Sequence, residues 1–404
     1  MAHFVVVGAG QAGVALVARL RAEGFDGEIT LIGAEPVPPY QRPPLSKAYL
    51  LGDMPLERLM LRGVDWYAAN NITLMLNTAV TAIDPAAQTV TAGEQVIPYD
   101  ELAFCTGSSP RHLPATIGGA LNGVYTVRDL SDADAMAPEF TAGRKLLVVG
   151  GGYIGLEAAA VAAKKGVEVT LVEMAPRILQ RVACEETSDY FRALHTAHGV
   201  TIRENTGLAR LMGEDRVTGA ELSDGTHLDV DFVIVGVGIA PETALAEMAG
   251  AACNNGIDTD SHGRTTTPHI WAAGDCANLM LDGTRIRIES VGNAIDQAET
   301  VARNMLGADM AYAPKPWFWS DQYDVKLQIA GLNTGYDAVH VKTDPDNPDF
   351  RVHWYFAGDR LIAVDAMNAP RDYMVGKRLI EAGKSPAPEL LTDPAGDLKA
   401  LLRG

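Results

Sequence analysis

The apolar positions of this chain come in short continuous runs that end in glycines, and one such arrangement occurs twice. Phe4-Val-Val-Val7 is a β-rich run leading into Gly8-Ala-Gly10-Gln-Ala-Gly13 and an Ala- and Leu-rich stretch over 14–21. Leu146-Leu-Val-Val149 leads in the same way into Gly150-Gly-Gly152-Tyr-Ile-Gly155 and a stretch over 156–165. Each returns through a second strand-like run, Glu28-Ile-Thr-Leu-Ile32 in the first and Val167-Glu-Val-Thr-Leu-Val172 in the second. Strand, glycine turn, helix and strand make a βαβ unit. The first glycines of the two units, Gly8 and Gly150, stand 142 positions apart.

The glycine spacing has a physical cause. The first makes the tight turn, the second lets the backbone approach a pyrophosphate, and the third allows the helix to pack closely on the strand. The helix N-terminus then offers free N–H groups and partial positive charge to the phosphates. Each unit has an acidic residue after its second strand, Glu35 and Glu173, of the kind that accepts the hydroxyls of an adenosine ribose. Glu173 directly ends its strand run and would repel a 2′-phosphate, so it favours NADH over NADPH. Arg177 is near enough in sequence to leave NADPH open. The pattern predicts two dinucleotide sites.

Two further runs read as returns to the first unit: Tyr99-Asp-Glu-Leu-Ala-Phe-Cys-Thr-Gly107 and Ile270-Trp-Ala-Ala-Gly-Asp275. Between them, Phe232-Val-Ile-Val-Gly236-Val-Gly238 is another buried strand ending in a glycine turn. The second nucleotide domain is therefore expected to be inserted in the first. From about residue 310 the pattern changes to alternating strands rich in aromatics, among them Trp317, Phe318, Trp319, Tyr323, Trp354, Tyr355 and Phe356. The fold expected is α/β: two Rossmann-like dinucleotide-binding domains, one inserted in the other, plus a C-terminal α+β domain. The boundaries expected are 1–110 with 236–310, then 111–235, then 311–404.

Composition narrows the class. The formal net charge is −18, which argues against binding nucleic acid, because a polyanion needs a basic surface. No run of about 18 apolar residues spans a bilayer and the start has no basic leader, so a cytoplasmic protein away from the membrane is expected. Cys105, Cys184, Cys253 and Cys276 lie far apart, without the pairing of a disulfide scaffold or a cysteine zinc site. His195 and His198 stand i, i+3 on a predicted helix, but no third ligand is evident and no metal site is expected.

The two fingerprints, Arg42-Pro-Pro-Leu-Ser-Lys47, Cys105-Thr-Gly107, Gly274-Asp275 and Pro316-Trp-Phe-Trp-Ser-Asp-Gln322 together resemble the FAD-dependent, NADH-linked ferredoxin reductases that serve bacterial cytochromes P450 and ring-hydroxylating dioxygenases. The resemblance runs in order through essentially the whole chain. It implies an FAD domain, an inserted NADH domain and a C-terminal domain over the flavin. Carried onto this sequence, it implies that Gly8, Gly10, Ala12 and Gly13 hold the FAD pyrophosphate. Arg42, Lys47 and Arg128 become flavin-side cations, Val80 touches the adenine end, and Asp275 accepts bonds from the ribityl or pyrophosphate region. Gly150, Gly152, Tyr153 and Ile154 cradle NADH, with Glu173 on its ribose and Gly238 under the nicotinamide half. Several relatives carry an acidic residue where this chain has Ala34, and Glu35 stands in for it.

The resemblance also pairs Lys47 with Glu157 beside the flavin, where the lysine favours the electron-rich state and the glutamate tempers it. A helix is predicted from Ser290, and its N-terminus near Val291 would face the flavin edge that becomes negative on reduction. Glu289 then stands on the nicotinamide side and Trp319 covers the flavin edge. Disulfide reductases of the wider superfamily have a redox cysteine pair, and some NADH oxidases a single cysteine, near Pro43-Pro-Leu-Ser-Lys47; this chain has none there. An external one-electron acceptor, a [2Fe–2S] ferredoxin, is therefore the implied partner. Docking onto an acidic ferredoxin would use local cations such as Arg285, Arg287, Arg303, Lys315 or Lys377. A monomer is expected. The rival readings are an NADH oxidase and an NADH-responsive redox-sensing interaction protein.

Overall fold

A computed structural model describes every residue except Asp282, Ala395 and Gly404. The chain divides into two compact units, each assembled from separated stretches. The first comprises Met1–Gln41, Leu56–Ser109 and Ile239–Pro316, and the second Arg42–Pro55, Pro110–Gly238 and Trp317–Gly404. The stretch Arg42–Pro55, counted with the first nucleotide domain in the sequence, thus packs in the second unit, as does the C-terminal sheet.

The first unit is built on a sheet whose spatial order is Ile270–Ala272, Glu101–Phe104, His3–Val7, Glu28–Ile32 and Ile72–Met75. Every pairing in it is parallel, with Phe4 opposite both Ile29 and Glu101. Helices Gln11–Ala22 and Val291–Met305 cover one face, where Leu16, Val17 and Leu20 meet Ala298, Val301 and Ala302. A three-stranded antiparallel sheet, Val80–Asp84, Thr89–Ala92 and Gln95–Pro98, covers the other through Ile83, Val90 and Ile97. A strand buried on both faces has no polar side to alternate with, which is why these strands are continuous apolar runs.

The second unit repeats the plan. Its parallel sheet runs Thr201–Arg203, Glu168–Val172, Lys145–Val149, Phe232–Val235 and Val124–Tyr125. Helix Tyr153–Lys164 follows the glycine turn and is apolar nearly all round, burying Leu156 and 158–162. Beyond it lies an antiparallel sheet in the order Trp317–Gln322, Val325–Gly331, Arg360–Met367, Asn347–Ala357 and Ala338–Asp344. Helix Pro370–Glu381 packs on it through Tyr373, Val375 and Leu379 against Trp354 and Val364. Leu50, Val325, Leu327 and Met367 share one buried cluster with Leu156 and Phe191. That cluster makes the nucleotide sheet, the C-terminal sheet and the 42–55 stretch one body.

Candidate functional site

Both glycine loops sit at the carboxyl ends of their parallel strands, where open α/β sheets bind ligands. In the first loop Gly8 has φ +112°, and a Cβ there would lie 2.1 Å from the Cys105 carbonyl oxygen. A Cβ on Gly13 would lie 2.0 Å from the Gly8 carbonyl, whereas one on Gly10 meets nothing within 4 Å. Helix Gln11–Ala22 starts from Gly10 with no side chain capping its first N–H groups. Open space beside uncapped donors is what a pyrophosphate requires.

Around this loop the first unit brings other expected residues. Ala12 is buried against Gly274, where an added Cβ would approach it to 3.0 Å. Next to Gly274, the Asp275 carbonyl accepts from Ser108 Oγ at 3.4 Å and from an Arg287 nitrogen at 3.2 Å. Helix Val291–Met305 begins nearby, and its Ser290 cap takes only the Asn293 N–H, at 3.2 Å. Glu35 accepts the Tyr40 hydroxyl at 2.5 Å. Glu289 is ion-paired with Arg287, and Val80 is half-buried at the start of its antiparallel strand.

The second loop repeats the geometry. Gly150 has φ +107°, with a Cβ position 2.3 Å from the Gly236 carbonyl, and Gly152 faces open space at an uncapped helix start. The Glu173 carboxylate accepts the Gly151 N–H at 2.7 Å and the Ala175 N–H at 2.8 Å, so it already braces the loop. Each oxygen retains a lone pair for a ribose hydroxyl. Arg177, the residue that left NADPH open, donates instead to the carbonyls of Ala183 and Cys184 at 2.9 and 3.0 Å and to Ser188 Oγ at 2.5 Å. Ile154 is exposed, while the Tyr153 ring packs on Phe318 at 5.1 Å and its buried hydroxyl has no hydrogen-bond partner among the described residues. Tyr153 thus directs its side chain into the protein, and burial pushes its hydroxyl pKa up. Gly238 has φ +102°, and its Cβ position lies 3.8 Å from Arg181 and 3.9 Å from Arg111. Those two arginines have no sequence signal, because both stand in loops outside any periodic pattern.

In the second unit the Pro43–Ser46 turn delivers Lys47 to helix Tyr153–Lys164. Lys47 Nζ is 2.6 Å from a Glu157 oxygen, which also accepts Ser46 Oγ at 2.7 Å. The other Glu157 oxygen accepts Ser320 Oγ, again at 2.7 Å. Glu157 is 3% exposed on an otherwise apolar helix, a position a carboxylate holds only when fully partnered. Arg42 donates to the Arg128 carbonyl at 2.9 Å, so those two cations are neighbours. Trp319 is half-buried, stacked 5.5 Å from Trp317, on the strand face opposite Ser320.

The histidine pair does not point towards a common ion. His195 is buried with Nε2 2.7 Å from Gln322 Oε1, and His198 stacks on Tyr323 at 3.7 Å. A trio absent from the sequence reading, Cys184, His353 and Asp365, has its ligand atoms within 4.8 Å of one another. Thr187 Oγ1 occupies the middle, 3.3 Å from the sulfur, 2.7 Å from His353 Nδ1 and 2.8 Å from Asp365, so an ion would have to displace it. Burial pushes the Cys105 and Cys276 thiols up and takes Cys184 and Cys253 to about 11, and all four are free thiols.

Of the docking cations, Arg285 pairs with Asp258, Arg287 with Glu289, Arg303 with Glu23 and Lys377 with Glu381. Lys315 alone has no ion-pair partner among the described residues. Another group, Arg371, Arg378, Lys399 and Arg403, lines a groove floored by Met374, Val375 and Leu402.

The buried titrating groups set a pH dependence. Burial lowers His195 and His353 from 6.5 to about 4, and raises Asp365 from 3.8 to about 6. The histidines' contribution is whole above 6.5 and lost as pH falls towards 4, because the unfolded chain takes up those protons first. Asp365 works the other way, since the folded form takes up its proton first between about 6 and 3.8. Two losses against one gain leave a net loss of stability as pH falls from about 6 to 4. Urea unfolding across that range should show the midpoint falling with pH, and His195→Gln should flatten the fall.

Comparison with known proteins agrees with this geometry. Residues 2–298 match the family described as pyridine nucleotide-disulphide oxidoreductase, and 317–402 match the reductase C-terminal family. A ferredoxin–NAD(P)(+) reductase of Sphingomonas sp is 45% identical over 401 residues, covering 98% of this chain and 96% of the relative. Putidaredoxin reductase of Pseudomonas putida is 41% identical over 408 residues, covering 99% and 96%. The crystal structure of the covalent putidaredoxin reductase–putidaredoxin complex superposes with a TM-score of 0.95 at 40% identity, over 100% of this chain and 98% of that one. Two glycine cradles, a buried lysine–glutamate pair and a C-terminal sheet within the matched residues converge with these likenesses: the chain belongs to the pyridine nucleotide-disulphide oxidoreductase family, in its ferredoxin reductase branch.

Proposed function

We propose that the chain is an NADH:ferredoxin reductase, using FAD and passing electrons singly to a [2Fe–2S] ferredoxin that supplies a cytochrome P450 or ring-hydroxylating dioxygenase. The carrying observation is the pair of uncapped, open glycine loops in a chain whose cysteines are all free thiols, none of them in the Pro43–Lys47 stretch. Two dinucleotides would have a cradle each, and the stretch beside Lys47 offers no thiol to receive electrons.

FAD, when bound, supplies the chemistry that joins a two-electron hydride donor to a one-electron acceptor. The protein's part is placement, because a pre-oriented pair avoids the entropy cost of encounter. Gly8, Gly10, Ala12 and Gly13 hold the FAD pyrophosphate, with Glu35, Arg42, Val80, Arg128 and Asp275 along the rest of the cofactor. Gly150, Gly152, Ile154 and the Tyr153 backbone receive NADH, with Gly238 and Glu289 towards its nicotinamide end. Glu173 accepts its ribose hydroxyls, and the engagement of the Arg177 guanidinium elsewhere supports NADH over NADPH. Lys47, held by Glu157, favours negative charge on its neighbour, as does the helix N-terminus at Val291. Trp319 lines the electron exit.

No helix is long and apolar enough to cross a membrane, among the described residues. A cytoplasmic setting fits the free cysteines.

Anaerobic stopped-flow absorbance tests the reading. Mixing with NADH should bleach the flavin quickly, NADPH should do so at least tenfold more slowly, and a [2Fe–2S] ferredoxin should then reoxidise it in single-electron steps. Bleaching that ferredoxin cannot reverse but oxygen can would favour the oxidase. A stable, air-resistant reduced complex would favour the sensor.

A further inference from the structure

The Lys47–Glu157 pair is the inner end of a longer chain of groups in the second unit. The Tyr323 hydroxyl lies 3.3 Å from His195 Nδ1, and His195 Nε2 lies 2.7 Å from Gln322 Oε1. Gln322 Nε2 donates to Ser320 Oγ at 3.1 Å, and Ser320 donates to Glu157 at 2.7 Å. Ser320 and Gln322 are two residues apart on strand Trp317–Gln322, so they share its buried face, and both are fully buried, as is His195.

One arrangement of protons satisfies every link. An amide oxygen only accepts, so His195 carries its proton on Nε2 and its Nδ1 accepts from Tyr323. The Ser320 oxygen receives the Gln322 amide, so the serine proton points on to Glu157. Each member therefore donates inwards, and Glu157 ends as a pure acceptor of Ser320, Ser46 and Lys47. Burial lowers His195 to about 4, so the neutral ring keeps this one tautomer across the working pH range.

We propose that Ser320, Gln322 and His195 are positioning residues for flavin reduction: their one-way chain fixes the rotation of the Glu157 carboxylate and thereby the place of the Lys47 ammonium. The inference rests on the reading of Lys47 as a flavin-side cation. Without Ser320 one Glu157 oxygen has no donor, and the carboxylate is free to turn and carry Lys47 with it. Strand Trp317–Gln322 would thus serve the site with both faces, Trp319 on one and Ser320 on the other.

The test is the limiting rate of flavin reduction by NADH under anaerobic stopped flow, with the NADH dissociation constant from the same traces. Ser320→Ala should slow reduction by about five- to twentyfold with the dissociation constant changed less than about twofold. Gln322→Met, which breaks the chain one link further out, should slow it less, by about two- to fivefold. In a Glu157→Gln background Ser320→Ala should add almost nothing, because its effect passes through Glu157. Wild-type rates in both single variants, or an equal slowing with and without Glu157→Gln, would overturn the proposal. Should Ser320→Ala fail to fold, Gln322→Met with and without Glu157→Gln decides alone. Absence of NADH-driven bleaching in the parent protein would instead overturn the functional reading itself.

Discussion

Gly8→Ala is expected to yield protein that cannot hold FAD because its first unit no longer closes. A Cβ there would lie 2.1 Å from a carbonyl oxygen of the neighbouring strand, at a φ of +112° that an L side chain rarely adopts. Strain of that kind plus a backbone collision costs on the order of 3–5 kcal/mol. Gly10→Ala is the informative companion. Nothing stands within 4 Å of its Cβ position, so the fold should be unaffected while the methyl intrudes where the pyrophosphate lies. Bound flavin per protein by absorbance, alongside urea unfolding, separates the two. Gly152→Ala, whose Cβ would stand in open space at the second loop, should keep its FAD, resist NADH and still be reduced by dithionite. If Gly10→Ala bound FAD as tightly as the parent, the first loop would not be the phosphate cradle.

Glu157→Leu should have the second large effect. It leaves the Lys47 ammonium, 16% exposed, without its counter-charge, and breaking a buried pair from one side costs roughly 3–5 kcal/mol. Adding Lys47→Met should recover most of that stability, because a buried ion pair replaced by apolar groups is often neutral. Flavin reduction should not recover with it. The single variant and the double variant should both reduce flavin at least tenfold more slowly than the parent. Circular dichroism in urea and stopped-flow absorbance make the comparison, and a double variant with parental rates would falsify the role given to the pair.

The glycine loops were legible because their chemistry is local: turn, approach and packing are written within six positions. The helix from Ser290 was legible for the same reason, since its cap and apolar spacing lie in one run. Lys47 and Glu157 are 110 residues apart, and only the resemblance joined them. Ser46, Ser320 and Gln322 stand inside stretches that carried the resemblance but received no role, because a buried hydroxyl or amide has no periodicity of its own. His195 and His198 shared a helical spacing that suits a metal, yet Gln322 and Tyr323 had prior claim on both rings. The partition of the units was not legible either. It depends on Leu50, Val325, Leu327 and Met367 joining the core of the inserted domain, and such contacts leave no trace in local pattern.

The order in which the chain is made has to contend with that partition. Neither unit is a continuous stretch: the first has all its pieces only once residue 316 has been made, and the second only with the last sheet. Strand Ile270–Ala272 pairs with Leu102–Phe104 across 168 positions, and at bacterial-type synthesis speeds that partner arrives on the order of 10–30 s later. Until then an apolar strand edge stands open, and the 42–55 stretch waits longer still for Val325 and Leu327. Nascent chains should therefore engage holding chaperones over most of their length, and chains cut before strand Ile270–Ala272 should precipitate rather than persist as stable domains.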